Sequence, residues 1–424
     1  MKSLLISLLV SLPLLAEAQS TIREEIAQNP SLGANQSVVY PTPTAELTPT
    51  PQGYTPFYIN HYGRHGSRYN WGYDAPVRTL LKAQQAGVLT PLGEQTLQQA
   101  RMLRDEAQGR EGELTPLGAE QHRGIAERMY RNFPEILAAP DATIEARSTI
   151  VIRCILSMEN ALQQLSALNP KLQIRHDASE HDMYFMNQSD PSLDSLRHAH
   201  RRDHQAFAAT KIHPERLMQT LFSDQRYWRD SLNAPELMMQ LFGLANHVQN
   251  VELRHQIDML PLFTVDEVYD LWQISNASWY MDHACSPLTE GRMPYSQRNL
   301  LRQMITDADS CLQLSHPNAS LRYGHDGMVM PLTNLMELDG WNQELPLEQL
   351  AEQGWADYKI IPMACNIQLI YYKPDDGKGD ILVKCLRNET EAHLPIATNS
   401  WPYYRWDDVK AYYTAKLDTY DQKY

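Results

Sequence analysis

Apolar and polar positions along this chain fall into short registers, and the registers predict its elements. Val151, Ile155, Met158, Leu162 and Leu165 recur at helical spacing, giving a helix packed on a core by one stripe. Met328, Leu332, Leu335 and Met336 mark a second helix, and Ser296 to Leu314 and Trp406 to about Leu417 read as two more. Phe57-Tyr58-Ile59-Asn60 and the run after Ser320 are short β-prone stretches. Lys359 to Lys373 and Ile381 to Leu386 predict a hairpin turning at Asp375-Asp376-Gly377, with Cys365 and Cys385 placed to bridge its arms. Two Leu-Thr-Pro-Leu-Gly segments, 89–93 and 114–118, each put Thr-Pro at a helix start. Their continuations differ, so they make no internal repeat. Residues 19–56 are a lead-in, rich in Pro and Thr from 37 onward and expected to be extended rather than part of the core. From about 175 to 295 the text turns to Met, Leu, Asn, His and Gln, which predicts an inserted helical region.

The chain has 424 residues, enough for two domains or one with a large insertion. Its formal charge of -14 excludes a general binder of nucleic acid or anionic membrane. An anionic substrate must therefore meet a local basic pocket. Met1 to Ala18 reads as a signal peptide: Lys2, an apolar run from Leu4 to Leu15, then Ala16-Glu17-Ala18. Cleavage before Gln19 would export the protein to a periplasm or beyond the cell. That run is too short to span a bilayer, and no later stretch reaches the roughly 20 apolar residues required. Five cysteines do not make a disulfide scaffold at this length.

Candidate chemistry gathers in His61-Tyr62-Gly63-Arg64-His65-Gly66-Ser67-Arg68-Tyr69. Two guanidiniums, Arg64 and Arg68, flank one imidazole, and the planar fork of Arg suits phosphate oxygens. Neutral His65 can attack phosphorus. Gly63 and Gly66 would let the backbone approach the anion. Arg147 and Arg153, near the start of the 151–165 helix, offer a further phosphate contact. A second pair, His325-Asp326, lies between glycines at the end of the later strand. Cys154 has no base beside it and reads as a buried structural thiol. The segment Arg197-His198-Ala199-His200-Arg201-Arg202-Asp203-His204 is the most basic of the chain. Three readings of it stay open: an exposed helix face, a contact from Arg197, Arg201 and Arg202 to an anionic substrate, or a metal pair at His200 and His204.

Hydrolysing a phosphomonoester through a protein nucleophile takes neutralised oxygens, an aligned attacking atom and a proton for the leaving alkoxide. Arg64, Arg68, Arg153 and His325 can supply the first, His65 the second and Asp326 the third, with no metal or cofactor required. Here the sequence resembles the histidine acid phosphatases, the two-motif branch of the histidine phosphatase superfamily that includes phytases. Arg64-His65-Gly66-Ser67-Arg68 resembles the family's first motif, Leu114-Thr115-Pro116-Leu117-Gly118 with Gln121 its next element, Arg147-Ser148-Thr149 with Arg153 the third, and His325-Asp326 the last. The resemblance makes Arg153, rather than Arg147, the phosphate ligand. It implies an α/β fold: a central, mostly parallel sheet with helices on both faces, spanning 57–174 and 296–424, and an inserted mainly helical domain at 175–295. Tyr69 is similar to the multiple inositol polyphosphate phosphatases, whereas His325-Asp326-Gly327 has the acid-phosphatase form. The implied activity is hydrolysis of small anionic phosphomonoesters, with inositol polyphosphates as the favoured class and a general acid phosphatase, a sugar-phosphate phosphatase or a non-catalytic phosphate-binding protein as alternatives.

Overall fold

The computed structural model describes residues 20–188 and 190–424, and the predicted signal peptide lies outside them. One eight-stranded sheet organises the chain: β1 (Tyr54–Arg64), β2 (Thr143–Ser148), β3 (Gln173–Asp177), β4 (Asn318–Gly324), β5 (Asn366–Pro374), β6 (Leu382–Arg387), β7 (Thr390–Glu391) and β8 (Tyr403–Arg405). Their order is β3-β2-β4-β1-β5-β6-β7, with β8 also on β6. The four strands β3, β2, β4 and β1 run parallel, while β5 turns back against β1 and opens an antiparallel ribbon.

β1 is longer than its apolar letters predict, continuing through His61, Tyr62 and Gly63 to Arg64. Those positions are buried, and their backbone groups pair with β4 on one side and β5 on the other. A central strand covered on both faces need not alternate, which hides it from a period-2 reading. The first arm of the predicted hairpin, by contrast, begins at Asn366 rather than Lys359, because Pro362 lacks an N–H and Ala364 has φ 57°. Cys385 therefore faces Leu369, while Cys365 precedes the strand, and both are buried free thiols. The expected bridge does not form.

Helices cover both faces. Ile59, Ile144, Leu321 and Ile370 on one face pack against the helices Pro116–Asn132 and Ile152–Leu168 through Met129, Met158 and Leu162. Tyr58, Leu369 and Val383 on the other meet the helices Arg298–Cys311, Asp326–Leu335 and Trp406–Lys423 through Met304, Leu332 and Val409. Between β3 and the Arg298 helix the chain is helices and turns. This region starts after Asp177 rather than at 175, since Arg175 and His176 still pair with β2. Its apolar core also takes in Ile22, Ile26, Val77 and Leu97 from the early part of the chain.

The lead-in is more folded than its composition predicts. Thr21 and Glu24 form a capping box on the Ile22–Gln28 helix, and Ile22 and Ile26 are buried. The Pro/Thr-rich stretch after Val38 is extended, yet the buried Tyr40 hydroxyl donates to Glu389, and Thr48 is bound by Glu391.

Candidate active site

Three parallel strands deliver the motifs to one edge of the sheet, beyond the carboxyl ends where α/β sheets place ligands. β1 ends at Arg64 and hands on His65 to Arg68, β4 hands on His325 and Asp326, and β2 leads through Thr149 into the helix that carries Arg153. The turns are tied across strands: His65 N–H donates to the Gly324 carbonyl at 2.9 Å and Thr149 N–H to that of Tyr323 at 3.0 Å. The Cys154 thiol also donates to the Gly324 carbonyl, at 3.2 Å, and burial pushes it up to about 12, so it is a structural thiol.

His65 and His325 meet edge to face with ring centroids 5.8 Å apart. The Nδ1 of His65 is 2.8 Å from the Gly66 carbonyl oxygen. A carbonyl only accepts, so Nδ1 carries the proton and Nε2 keeps its lone pair. Burial, then the charges of Arg64 and Arg153, hold this imidazole well below its ordinary value, so it is neutral at physiological pH. His325 is held at about 4, chiefly by burial, and its Nε2 lies 3.2 Å from the Thr149 hydroxyl.

Cations dominate the rest. Arg64 is fully buried, donates to the carbonyls of Gln36 and Ile361, and sets Nη2 2.7 Å from Asp326 Oδ2. That contact is an ion pair with poor hydrogen-bond angles, so Nη2 and Nε both lack an acceptor among the described residues. Arg153 Nε is buried in the same condition. Burial, then the neighbouring Arg64 charge, lowers Arg68 to about 10. Burial works to raise the Asp326 carboxyl, but Arg64, His325 and Arg68 outweigh it and bring Asp326 below the usual range. In this clamp one carboxylate thus sits between the Arg64 and Arg68 charges, paired with the first, and Arg153 adds a third positive charge beside His65.

Residues outside the clamp hold the first turn in shape. Ser67 N–H donates to Gln121 Oε1 at 2.8 Å, Gln121 Nε2 donates to Ser67 Oγ at 3.0 Å, and Ser67 Oγ donates to Asn250 Oδ1 at 2.7 Å. Thr115 Oγ1 donates to the Ser67 carbonyl, and Gly66 N–H donates to Ser157 Oγ. Gly66 and Gly118 touch backbone to backbone: a Cβ on Gly66 would fall 2.4 Å from the Gly118 oxygen. Gly63 likewise packs against the His61 ring. These glycines serve close chain packing, where the sequence suggested approach to an anion. The Leu-Thr-Pro-Leu-Gly…Gln spacing was the visible signal for this cradle; nothing in the sequence pointed to Asn250.

Other candidates stand apart. Arg147, on β2, is taken up by Asp182 at 3.2 Å and by Glu145. Arg197 pairs with Asp194 at 2.8 Å and donates to the Asp282 carbonyl, while Arg201 and Arg202 are exposed. Arg197 and Arg201 line a cavity of about 570 Å³ with His198, His204 and Asp282, and none of the six clamp residues borders it. His200 binds Asp203 and His204 donates to the Ile274 carbonyl, so the pair does not converge. Among the described residues no three His, Cys, Asp or Glu side chains gather as a metal site would need. Tyr69 is buried, its ring under Arg110 at 4.4 Å and its hydroxyl bound by Arg110.

Comparison with known proteins bears on the fold and the family. A search of curated sequences found no match. Among solved structures, Bifidobacterium longum multiple inositol polyphosphate phosphatase in complex with inositol hexasulfate superposes with a TM-score of 0.73 at 18% identity, over 91% of this chain and 98% of that one. The phytase from D. castellii gives 0.66 at 14% identity, covering 91% and 85%. Hafnia alvei phytase in complex with tartrate gives 0.53 at 11% identity, covering 87% and 98%. At such identities the likeness is one of fold. The family model described as histidine phosphatase superfamily (branch 2) matches residues 63–388, which contain every residue of the clamp. The chain belongs to branch 2 of the histidine phosphatase superfamily and is a phosphatase of the histidine type.

Proposed function

We propose that the protein is an exported, metal-independent phosphomonoesterase that works through a phosphohistidine on His65, with inositol polyphosphates as its favoured substrates. The observation that carries the chemistry is the convergence of the buried guanidiniums of Arg64 and Arg153, whose Nε donors have no acceptor among the described residues, around an imidazole whose Nδ1 proton is spent on the Gly66 carbonyl and whose Nε2 keeps its lone pair. Phosphate oxygens take the donors of Arg64, Arg68, Arg153 and His325. His65 Nε2 attacks phosphorus as the P–O bond to the alcohol breaks, and Asp326 gives that oxygen its proton. Its arginine neighbours favour the ionised form of Asp326. A bound phosphate dianion offsets those charges and raises its proton affinity, so Asp326 takes up a proton from solvent as the substrate binds and holds it for the leaving oxygen. Asp326 then accepts a proton from the water that cleaves the N–P bond, releasing inorganic phosphate and restoring His65. The guanidiniums cover the charge that a metal would otherwise neutralise, so a chelator leaves the rate unchanged.

The inositol polyphosphate class is supported by the names of the Bifidobacterium longum and phytase neighbours. A broader sugar-phosphate or acid phosphatase is the second reading, favoured by Arg147 and Arg197 being ion-paired outside the clamp. Export rests on the apolar run before Gln19; among the described residues no helix is long and apolar enough to cross a membrane. The deciding experiment is phosphate release from phytate, glucose 1-phosphate, 3-phosphoglycerate and an aryl phosphate, with His65→Ala as control. Full activity in His65→Ala would end the mechanism. Preference for glucose 1-phosphate over phytate would end the favoured substrate class, and no turnover of any ester would leave a phosphate-binding protein.

A further inference from the structure

Trp71 follows the first motif by three residues and is 52% exposed, unusual for so large an apolar ring. Its surroundings explain the exposure. The guanidinium carbon of Arg68 lies 4.3 Å from the indole centroid, and that of Arg153 lies 5.7 Å from the same ring. One arginine comes from the turn after β1 and the other from a helix start, and the indole is where the two meet. Within the described residues Arg68 donates to the Tyr69 carbonyl and to Asn70 Oδ1, and Arg153 to the Gly112 carbonyl. Neither forms an ion pair among the described residues, since Asp326 is taken by Arg64. The ring is set from behind by the turn at Gly112, where a Cβ would fall 2.4 Å from indole Cζ2. Gly112 itself donates to the Tyr69 carbonyl at 3.0 Å.

Two cations without a counter-ion repel each other and drift toward solvent unless something holds them. The face of an indole carries negative quadrupole density and attracts a guanidinium without occupying its in-plane N–H donors. Those donors stay available to phosphate oxygens. We propose that Trp71 is a positioning residue that holds the Arg68 and Arg153 forks ready for an incoming phosphoryl group. The inference rests on reading those two arginines as phosphate ligands.

The test is binding of inorganic phosphate, by calorimetry, to wild type, Trp71→Leu and Trp71→Phe, with thermal melts run alongside. Leu keeps an apolar cover but has no π face; Phe keeps the face. The half-exposed ring makes both variants fold with near wild-type midpoints. Phosphate Kd should rise about tenfold in Trp71→Leu, or ~1.4 kcal/mol, and stay within about threefold of wild type in Trp71→Phe. Equal affinities in Leu and wild type, or equal loss in Phe and Leu, would overturn the proposal. The binding readout needs no turnover. A wild type that binds phosphate but hydrolyses nothing would sink the catalytic reading and leave this one standing.

Discussion

Gly118→Ala should disable the enzyme from a residue that touches no substrate. A Cβ at Gly118 would lie 2.2 Å from the Ser67 carbonyl oxygen, 2.8 Å from the Ser67 nitrogen and 2.7 Å from Leu114 Cδ1. The leucine can rotate away, but the two Ser67 contacts are backbone. Carbon and carbonyl oxygen settle at about 3.3 Å, so the turn must retreat by about 1 Å. Ser67 stands between His65 and Arg68, and its backbone is held by Gln121 and Thr115 on the same helix that would push it. A nucleophile misplaced by that much costs on the order of 10²-fold in rate. The assay is kcat/KM on an aryl phosphate, with far-UV circular dichroism to show that the fold persists. Gly124→Ala is the internal control, on the same helix and facing only the flexible end of Arg128 at 3.1 Å. There the gain in helix propensity should stabilise by up to about 1 kcal/mol and leave kcat/KM alone. Wild-type kcat/KM in a folded Gly118→Ala protein would refute the idea that this helix positions the nucleophile.

Asp326→Asn removes the donated proton, so alkyl phosphate hydrolysis should fall by roughly 10²- to 10⁴-fold, while aryl phosphates with good leaving groups lose far less; equal losses on both would remove Asp326 from the acid role. Stability should decline on acidification. Burial holds His61 and His122 at about 3, against 6.5 ordinarily, so between those values the unfolded chain binds protons that the native one refuses. Folding free energy is therefore lost as pH falls from 6.5 toward 3, at about 1.4 kcal/mol per pH unit for each such site; denaturant melts across that window should flatten in His122→Gln, and an unchanged slope would count against a neutral buried His122. All five thiols should react with a thiol reagent once the unreduced chain is denatured, since every cysteine is free, and fewer than five would reveal a bridge.

The clamp was legible because its residues announce themselves locally. Arg64, His65 and Arg68 are packed into five positions, and His325-Asp326 sits between glycines at a strand end. Resemblance alone selects Arg153 over Arg147, and Arg147 is occupied by Asp182 and Glu145. Less legible were features that depend on tertiary partners. β1 runs on through polar letters because its neighbours supply both hydrogen-bonding edges, and Arg197 of the 197–204 run is tied down by the Asp282 carbonyl, 85 residues further along the chain. Composition cannot see such pairing. Nor could it place the lead-in, where Gln36 accepts from the buried Arg64. The helical core was anticipated as an insertion alone, whereas Ile22, Val77 and Leu97 reach it from outside that stretch.

The place of β1 in the sheet has a consequence for when the enzyme can first act. Its two partners are β4 and β5, which follow it by some two hundred and fifty to three hundred residues of chain. While the protein is being synthesised, the segment bearing His65 has neither neighbour, and the edge that receives Asp326 does not exist. Hydrolytic competence therefore arrives late and all at once, when the final third of the polypeptide closes over both sides of the first strand. Until then the growing chain holds His65 without Asp326 beside it, and by the mechanism proposed above it cannot turn over a phosphate ester.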